Sequence, residues 1–275
     1  MSGPPRGRTG GDRRPAALVT GASRGIGKAI AARLARSGYA VTGTTRDLAA
    51  LPADARLEGV RYAALDLRDA QSIQALAAEV GPVDVLVNNA GVSLIGPIEE
   101  VPLDMMRGIF ETNFFGLLAL TRLVIPGMRD RRSGTIVNIA SFAGVTPVPF
   151  LSMYAATKSA LIAASRSLRQ ELRPWGIRVA VVAPFDIHTD IPLEIGFGEG
   201  SAYLEAARTV KAHRDKGLAE APGPDIVARK VLAVLGARHP RLLNVVGKGA
   251  AMTSLLVRLL PERVTENAIR SRYGL

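Results

Sequence analysis

Short apolar, β-branched runs alternate with stretches of helical spacing along most of the chain, and this alternation constrains the fold more than any other feature. Ala16–Thr20, Tyr39–Thr45, Arg61–Leu65, Val83–Val87, Thr135–Ile139, Arg178–Val182 and Leu242–Val246 read as strands, each a short run suited to a buried parallel sheet. Arg61–Leu65 is the weakest of them. Gly27–Ser37, Gln71–Val80, Pro102–Met128 (one long helix or two), Ser152–Leu172 and Asp225–Leu235 carry helical spacing, with Gly38 placed to end the first and Pro174 to close the fourth. Strands alternating with helices require right-handed crossovers and a sheet covered on both faces. The expected fold is therefore doubly wound α/β: a seven-stranded parallel sheet of Rossmann type flanked by helices. Neither an internal repeat nor a second domain boundary is visible. One domain is expected over residues 15–275, preceded by a disordered Gly/Pro/Arg-rich tail, residues 1–14. Residues 185–217 form the longest irregular stretch, the kind of loop that usually serves a substrate. Residues 249–275 form a C-terminal segment whose first half, Ala250–Leu260, is apolar and helical in spacing.

Composition narrows the chemistry. With 275 residues, 48% of them hydrophobic, the chain can bury a full core, and the absence of cysteine excludes disulfides, thiolate nucleophiles and cysteine-ligated metals. The N-terminus lacks an apolar signal segment and no run of about 18 apolar residues occurs, so a cytoplasmic protein without a transmembrane segment is expected. The net charge of +11 raises nucleic acid as a partner. Its excess, however, sits partly in the first 14 residues and partly after residue 257, and is thin elsewhere, with no aromatic-interleaved basic stripe. Nucleic acid is not the expected partner. No spacing of histidine and carboxylate resembles a metal site.

At the first strand–helix junction, Thr20–Gly27 reads T-G-A-S-R-G-I-G. Glycine tolerates positive φ and lets backbone approach a ligand closely, while a helix N-terminus offers free N–H groups and partial positive charge to a pyrophosphate. In that context Gly21, Ser23, Arg24, Gly25, Ile26 and Gly27 are expected to cradle a dinucleotide. A second constellation comes later. Tyr154 and Lys158 are four apart on one helix, hence on one face, 13 residues after Ser141. A free phenol ionises near pH ~10, and a fixed ammonium beside it is expected to lower that value. Alone, Y-x-x-x-K is a common accident of helices. Together with the glycine loop it points to hydride transfer.

The spacing T-G-x-x-x-G-x-G, with L-D-L-R-D at Asp66, N-N-A-G at Asn88–Gly91, T-N-F-F-G at Asn113, V-N-I-A-S at Ser141 and then Tyr154 and Lys158, resembles the short-chain dehydrogenase/reductase family, over roughly residues 16–246. The C-terminal pattern resembles the steroid and retinol dehydrogenase branch. The resemblance implies that Asp66 and Leu67 contact the adenine and that Asn88, Ala90 and Gly91 line the cofactor. It also implies that Tyr154 is the proton donor or acceptor, Lys158 holds the nicotinamide ribose, Ser141 polarises the carbonyl and Asn113 positions a water linked to Lys158. Pro184, Ile187 and Thr189 would reach the carboxamide. The two long helices would pair across subunits in a homodimer or homotetramer.

The second strand ends Thr45-Arg46-Asp47. Arginine there accepts a 2′-phosphate, whereas an acid binds the 2′-hydroxyl. Arg46, backed by Arg24, favours NADP(H) over NAD(H), and Asp47 is the counter-signal unless it caps the turn that follows. One departure stands out: Pro184 is followed by Phe185, where the family has glycine. That ring either narrows the substrate pocket or is a packing change. The expected substrate wall, including Leu94, Ile95, Phe142, Val145, Val148, Phe150, Leu151, Ile191, Leu193, Ile195 and Phe197, is mainly apolar and fits a hydrophobic ketone, aldehyde or alcohol. His188 and His213 flank that region. The residues leave open an epimerase or dehydratase on the same site, or a non-catalytic NADP-binding protein.

Overall fold

A computed structural model describes residues 13–275. The first half runs β1 (Ala16–Val19), α1 (Gly25–Arg36), β2 (Ala40–Thr45), β3 (Val60–Ala64), α2 (Ala70–Glu79), β4 (Val85–Asn88), β5 (Ser93–Ile95), α3 (Leu103–Phe110) and α4 (Gly116–Asp130). The second half runs β6 (Gly134–Ile139), α5 (Ser152–Leu172), β7 (Ile177–Pro184), β8 (Leu193–Ile195), α6 (Leu204–Ala219), α7 (Asp225–Gly236), β9 (Leu243–Val246), α8 (Ala250–Leu259) and α9 (Glu262–Arg272). Seven strands form one parallel sheet in the order β3-β2-β1-β4-β6-β7-β9. The expected doubly wound fold is what the chain adopts.

Successive residues of each central strand serve opposite layers, as the pleat requires. Ala17, Val19, Val85, Val87, Val137 and Ile139 pack under α1 and α7 with Ile30, Leu34, Val227 and Val231. Leu18, Leu86, Ile136 and Val179 face the other way, onto Leu76, Leu117, Leu120, Met128 and Leu161 of α2, α4 and α5. Burial on both faces explains why these strands carry unbroken apolar runs, each large side chain contributing roughly 1.5–3 kcal/mol.

Three features differ from the sequence-based expectation. Residues 185–217 are not one irregular loop: β8 pairs in parallel with β5, and α6 begins at Leu204. Second, the one or two helices expected over Pro102–Met128 are α3 and α4, joined without a break by a π-helical turn, Glu111–Phe115, that was not expected. Third, this continuous helical span, Leu103–Asp130, is long and apolar enough to cross a membrane by length and composition, although no such stretch was expected. Here its buried residues pack as a core helix against the sheet. Residues 1–12 of the expected tail lie outside the described residues, whereas Arg13 donates to Asp84 at 3.1 Å.

Candidate active site

The strand order reverses between β1 and β4, parallel neighbours near the middle of the sheet, and the carboxyl ends of the strands there open into a cleft of about 600 Å³. Such switch points are where open α/β sheets hold ligands. The cleft has a glycine-lined end and an end lined by the residues expected to carry proton chemistry.

At the first end, Gly21 and Gly25 adopt φ of +66° and +52°. A Cβ on Gly27 would strike the Gly21 carbonyl, so the turn needs glycine there. The helix behind it is built to receive an anion: α1 has no side-chain cap and no acidic residue in its first turn. Asn89 holds the turn in place, its Nδ2 donating to the carbonyls of Thr20 at 2.9 Å and Gly21 at 3.2 Å. Thr20 Oγ1 in return accepts from the backbone N–H groups of Asn89 and Ala90, both at 2.9 Å. Ser23, Arg24, Ile26, Arg46, Asp66, Leu67, Ala90, Gly91, Pro184, Ile187 and Thr189 all line this cleft as expected. Asp66 Oδ1 accepts from the Arg68 N–H at 2.9 Å, which fixes the loop after β3. Asp47 Oδ1 accepts from the Ala50 N–H at 2.9 Å, so this acid serves the local turn. The glycine cradle, the uncapped helix and the guanidinium-bearing rim of Arg24 and Arg46 fit a nicotinamide dinucleotide.

Asn88 does not belong to that wall. Its Nδ2 donates to Thr121 Oγ1 at 2.9 Å and to Asn138 Oδ1 at 2.8 Å, in a buried network that ties β4 to α4 and β6. The period-2 alternation of β4 points residue 88 into the layer and leaves the next residue, Asn89, at the cleft. The N-N-A-G motif contained the right residue one position later.

At the other end, Ser141 stands beside the Tyr154 phenol, and its hydroxyl accepts from the Ala143 N–H at 3.1 Å. Both line the cleft with Lys158. Lys158 is 3% exposed, and its Nζ donates to the Ile139 carbonyl at 3.2 Å and lies 5.8 Å from the centre of the Tyr154 ring. Burial pulls its pKa from 10.5 down to about 8. The phenol goes the other way: burial raises its pKa, while the neighbouring Ser141 hydroxyl and then the Arg214 guanidinium oppose the rise. This corrects the expectation that Lys158 brings the phenol below its ordinary value. In the protein alone, an ammonium that is itself poorly solvated, and engaged by a backbone carbonyl, does not offset the phenol's loss of water. The phenol is held as an acid.

Asn113, at the centre of the π-helical turn, is fully buried and does not line the cleft. Its Nδ2 donates to the Val92 carbonyl at 2.9 Å and to Thr157 Oγ1 at 3.2 Å, and its Oδ1 accepts from the Val92 N–H at 2.9 Å. The side chain is thus spent on the Val92 backbone just before β5 and on Thr157, and it reaches the site through Gly91, where an added Cβ would lie 3.0 Å from Asn113 Oδ1 and 3.4 Å from Lys158 Nζ. π-Helical turns of this kind are frequent at functional sites.

The substrate end is more polar than expected. Phe142, Val148, Leu151 and Ile191 line it, but so do Asp186, Asp190, Glu194 and Arg214. Leu94 and Ile95 are instead buried core. His188 Nδ1 donates to the Leu218 carbonyl at 3.2 Å and lines a smaller adjoining cleft, and His213 Nδ1 donates to the Thr209 carbonyl at 2.9 Å, so neither lines the main cleft. Thr20, Asn89, Arg214 and Tyr273 are the contributors that the sequence pattern did not single out. For Asn89 the motif carried the signal; for Arg214 and Tyr273 no local signal exists.

The profile of the family described as short chain dehydrogenase matches residues 15–196. An uncharacterised oxidoreductase of Bacillus subtilis, YusZ, is 34% identical over 93% of this chain and 97% of its own. A solved short-chain dehydrogenase from Streptomyces avermitilis superposes with a TM-score of 0.82 at 33% identity, covering 96% of this chain and 98% of that one. A variant actinorhodin polyketide ketoreductase solved with NADPH gives 0.70 at 31% identity, over 86% and 97% of the two chains. With the glycine cradle and the Ser141–Tyr154–Lys158 cluster facing one cleft, the chain belongs to the short-chain dehydrogenase family of oxidoreductases.

Proposed function

We propose that this protein reduces the carbonyl of a small molecule, with NADPH as its cofactor and Tyr154 as the proton donor. The observation that carries the proposal is the convergence of Ser141, Tyr154 and Lys158 at one end of a cleft whose other end is the glycine cradle. A bound reduced nicotinamide supplies the hydride for the carbonyl carbon. Tyr154, held protonated by burial, gives its proton to the carbonyl oxygen as negative charge grows there. Ser141 donates a hydrogen bond to that oxygen. Lys158 supplies positive charge beside the phenol and a donor for the nicotinamide ribose, and Asn113 acts as a positioning residue through Val92 and Gly91. The Gly21, Gly25 and Gly27 turn would hold the pyrophosphate, Asp66 and Leu67 the adenine, and Pro184, Ile187 and Thr189 the carboxamide.

NADP(H) over NAD(H) is supported by Arg24 and Arg46 on the cleft rim, and by Asp47 being engaged by its own turn. The expected kcat/KM, read by nicotinamide absorbance on a panel of ketones and aldehydes, is higher with NADPH than with NADH. Arg46→Ala should erode that preference about tenfold, the loss of one charge-assisted contact of about 1.4 kcal/mol. A clear NADH preference in the parent protein refutes the cofactor assignment. The apolar part of the wall, Phe142, Val148, Leu151 and Ile191, supports a substrate with hydrophobic substituents next to the carbonyl. The same reading pairs α4 and α5 across subunits in a cytoplasmic homo-oligomer.

A further inference from the structure

Phe185 stands where the family resemblance implies a glycine, and residues 272–275 read Arg-Tyr-Gly-Leu; these two features of the sequence meet in space. The loop after β7 carries Phe185 and then Asp186, which is held at φ +29° although it is not glycine. The Arg272 guanidinium, at the end of α9, donates to the Asp186 carboxylate. It also lies 4.9 Å from the centre of the Phe185 ring. Phe185 in turn packs edge-on against Phe142 at 4.8 Å between ring centres, next to Ser141. Tyr273 lines the cleft, and Tyr273 and Leu275 pack on the apolar cluster around Leu151, Val148 and Phe150. Gly274 has φ of +72°, and a Cβ there would lie 2.8 Å from the His213 ring on α6, so only glycine lets the end of the chain turn in at this point. Four separate contacts thus fold the end of the chain back over the substrate half of the cleft.

We propose that Arg272–Leu275 form a wall of the substrate pocket, fastened by Arg272 between Asp186 and Phe185, and that Tyr273 limits the size of the carbonyl compound the site admits. This rests on the carbonyl-reductase reading for its substrate. Phe185 is then neither a simple narrowing of the pocket nor a neutral packing change: it is the stacking platform for the arginine that brings Tyr273 into place. A guanidinium satisfied at once by a carboxylate and an aromatic face is well suited to such a fastening. Tyr273 is a specificity residue, whereas Arg272, Asp186 and Phe185 are positioning residues.

The test uses 2-alkanones of graded length, from 2-butanone to 2-decanone, with NADPH. Tyr273→Ala should raise kcat/KM for 2-decanone relative to 2-butanone about tenfold, within the usual range for relieving a pocket wall. Asp186→Asn and Arg272→Ala should each raise KM with kcat little changed, and the double variant should be no worse than either single one, as for two halves of one contact. A second arm needs no turnover. In a protein carrying Trp175→Phe and Tyr273→Trp, NADPH binding should quench the single remaining indole, and adding Asp186→Asn should weaken that quenching at least twofold. An unchanged length preference in Tyr273→Ala, or quenching indifferent to Asp186→Asn, overturns the proposal. If the parent protein reduces no ketone, the carbonyl-reductase reading fails instead, and the fluorescence arm alone decides whether the chain end walls the cleft.

Discussion

Lys158 shows how little of a residue's chemistry lies in its spacing. Its position four residues after Tyr154 is legible in the sequence, and so is the shared helix face. What the spacing does not contain is solvation. The ammonium is buried with one backbone carbonyl as its hydrogen-bond acceptor, and its pKa falls to about 8. A depressed lysine costs stability while it is charged. Below pH 8 both folded and unfolded chains carry the proton and the cost is complete. Between about pH 8 and 10.5 the folded chain releases a proton that the unfolded chain keeps, so stability rises with pH. The phenol of Tyr154, shifted upward, opposes this only above its ordinary value near 10. Lys158→Met is therefore expected to be the more stable protein at pH 7, by on the order of 3 kcal/mol. The gap should close as the parent gains stability between pH 8 and 10. Thermal melts across that range check it; parallel curves for the two proteins contradict it. Asn88 and Asn89 make the same point in a different way. The motif names both, and only the direction of the strand decides which faces the ligand and which joins the buried network with Thr121 and Asn138.

At the scale of elements, legibility follows burial. The central strands were legible because both faces are covered and the apolar run has no gap. β8 was not, since three residues carry no period, and α6 was not, since only Ala207 and Val210 are buried along its length. The π-helical turn at Glu111–Phe115 leaves no trace in periodicity either. It is a one-residue expansion inside a helix whose flanks look ordinary, and it sets Asn113 against Val92. The helix that follows has two apolar faces. Its inner face meets the sheet, and Gly116 lets its first turn sit against the loop after β3, because a Cβ there would strike the Leu67 carbonyl. Along its outer side, Phe115 is 52% and Leu123 46% exposed. An apolar side of that kind is the surface on which the proposed pairing of α4 and α5 across subunits would rest. Phe115→Asp should shift the protein to monomer in light scattering while leaving its far-ultraviolet circular dichroism unchanged. A parent that is itself monomeric at micromolar concentration contradicts the pairing.

Over the whole molecule, the sheet order, the position of the cleft and most of its lining follow from strand–helix alternation and the handedness of crossovers. The substrate half does not. Arg214 on α6 and Tyr273 at the chain end enter the cleft from elements that no motif marks, and they arrive there only because α6 and α9 pack over the loop after β7. Their neighbours in sequence say nothing of the cleft they share with the Tyr154 phenol. The central claim concerns that phenol: Tyr154 supplies the proton that completes a carbonyl reduction. The most direct measurement follows deuterium from NADPH labelled at its transferable C4 position into the alcohol product, for the parent protein and for Tyr154→Phe, with NADPH affinity measured in parallel. The account predicts singly deuterated alcohol from the parent. It predicts a rate at least about a hundredfold lower from Tyr154→Phe, the usual scale for a lost general acid, at unchanged NADPH affinity. Labelled alcohol formed by Tyr154→Phe at a rate near the parent's, or unlabelled product from the parent, would contradict it.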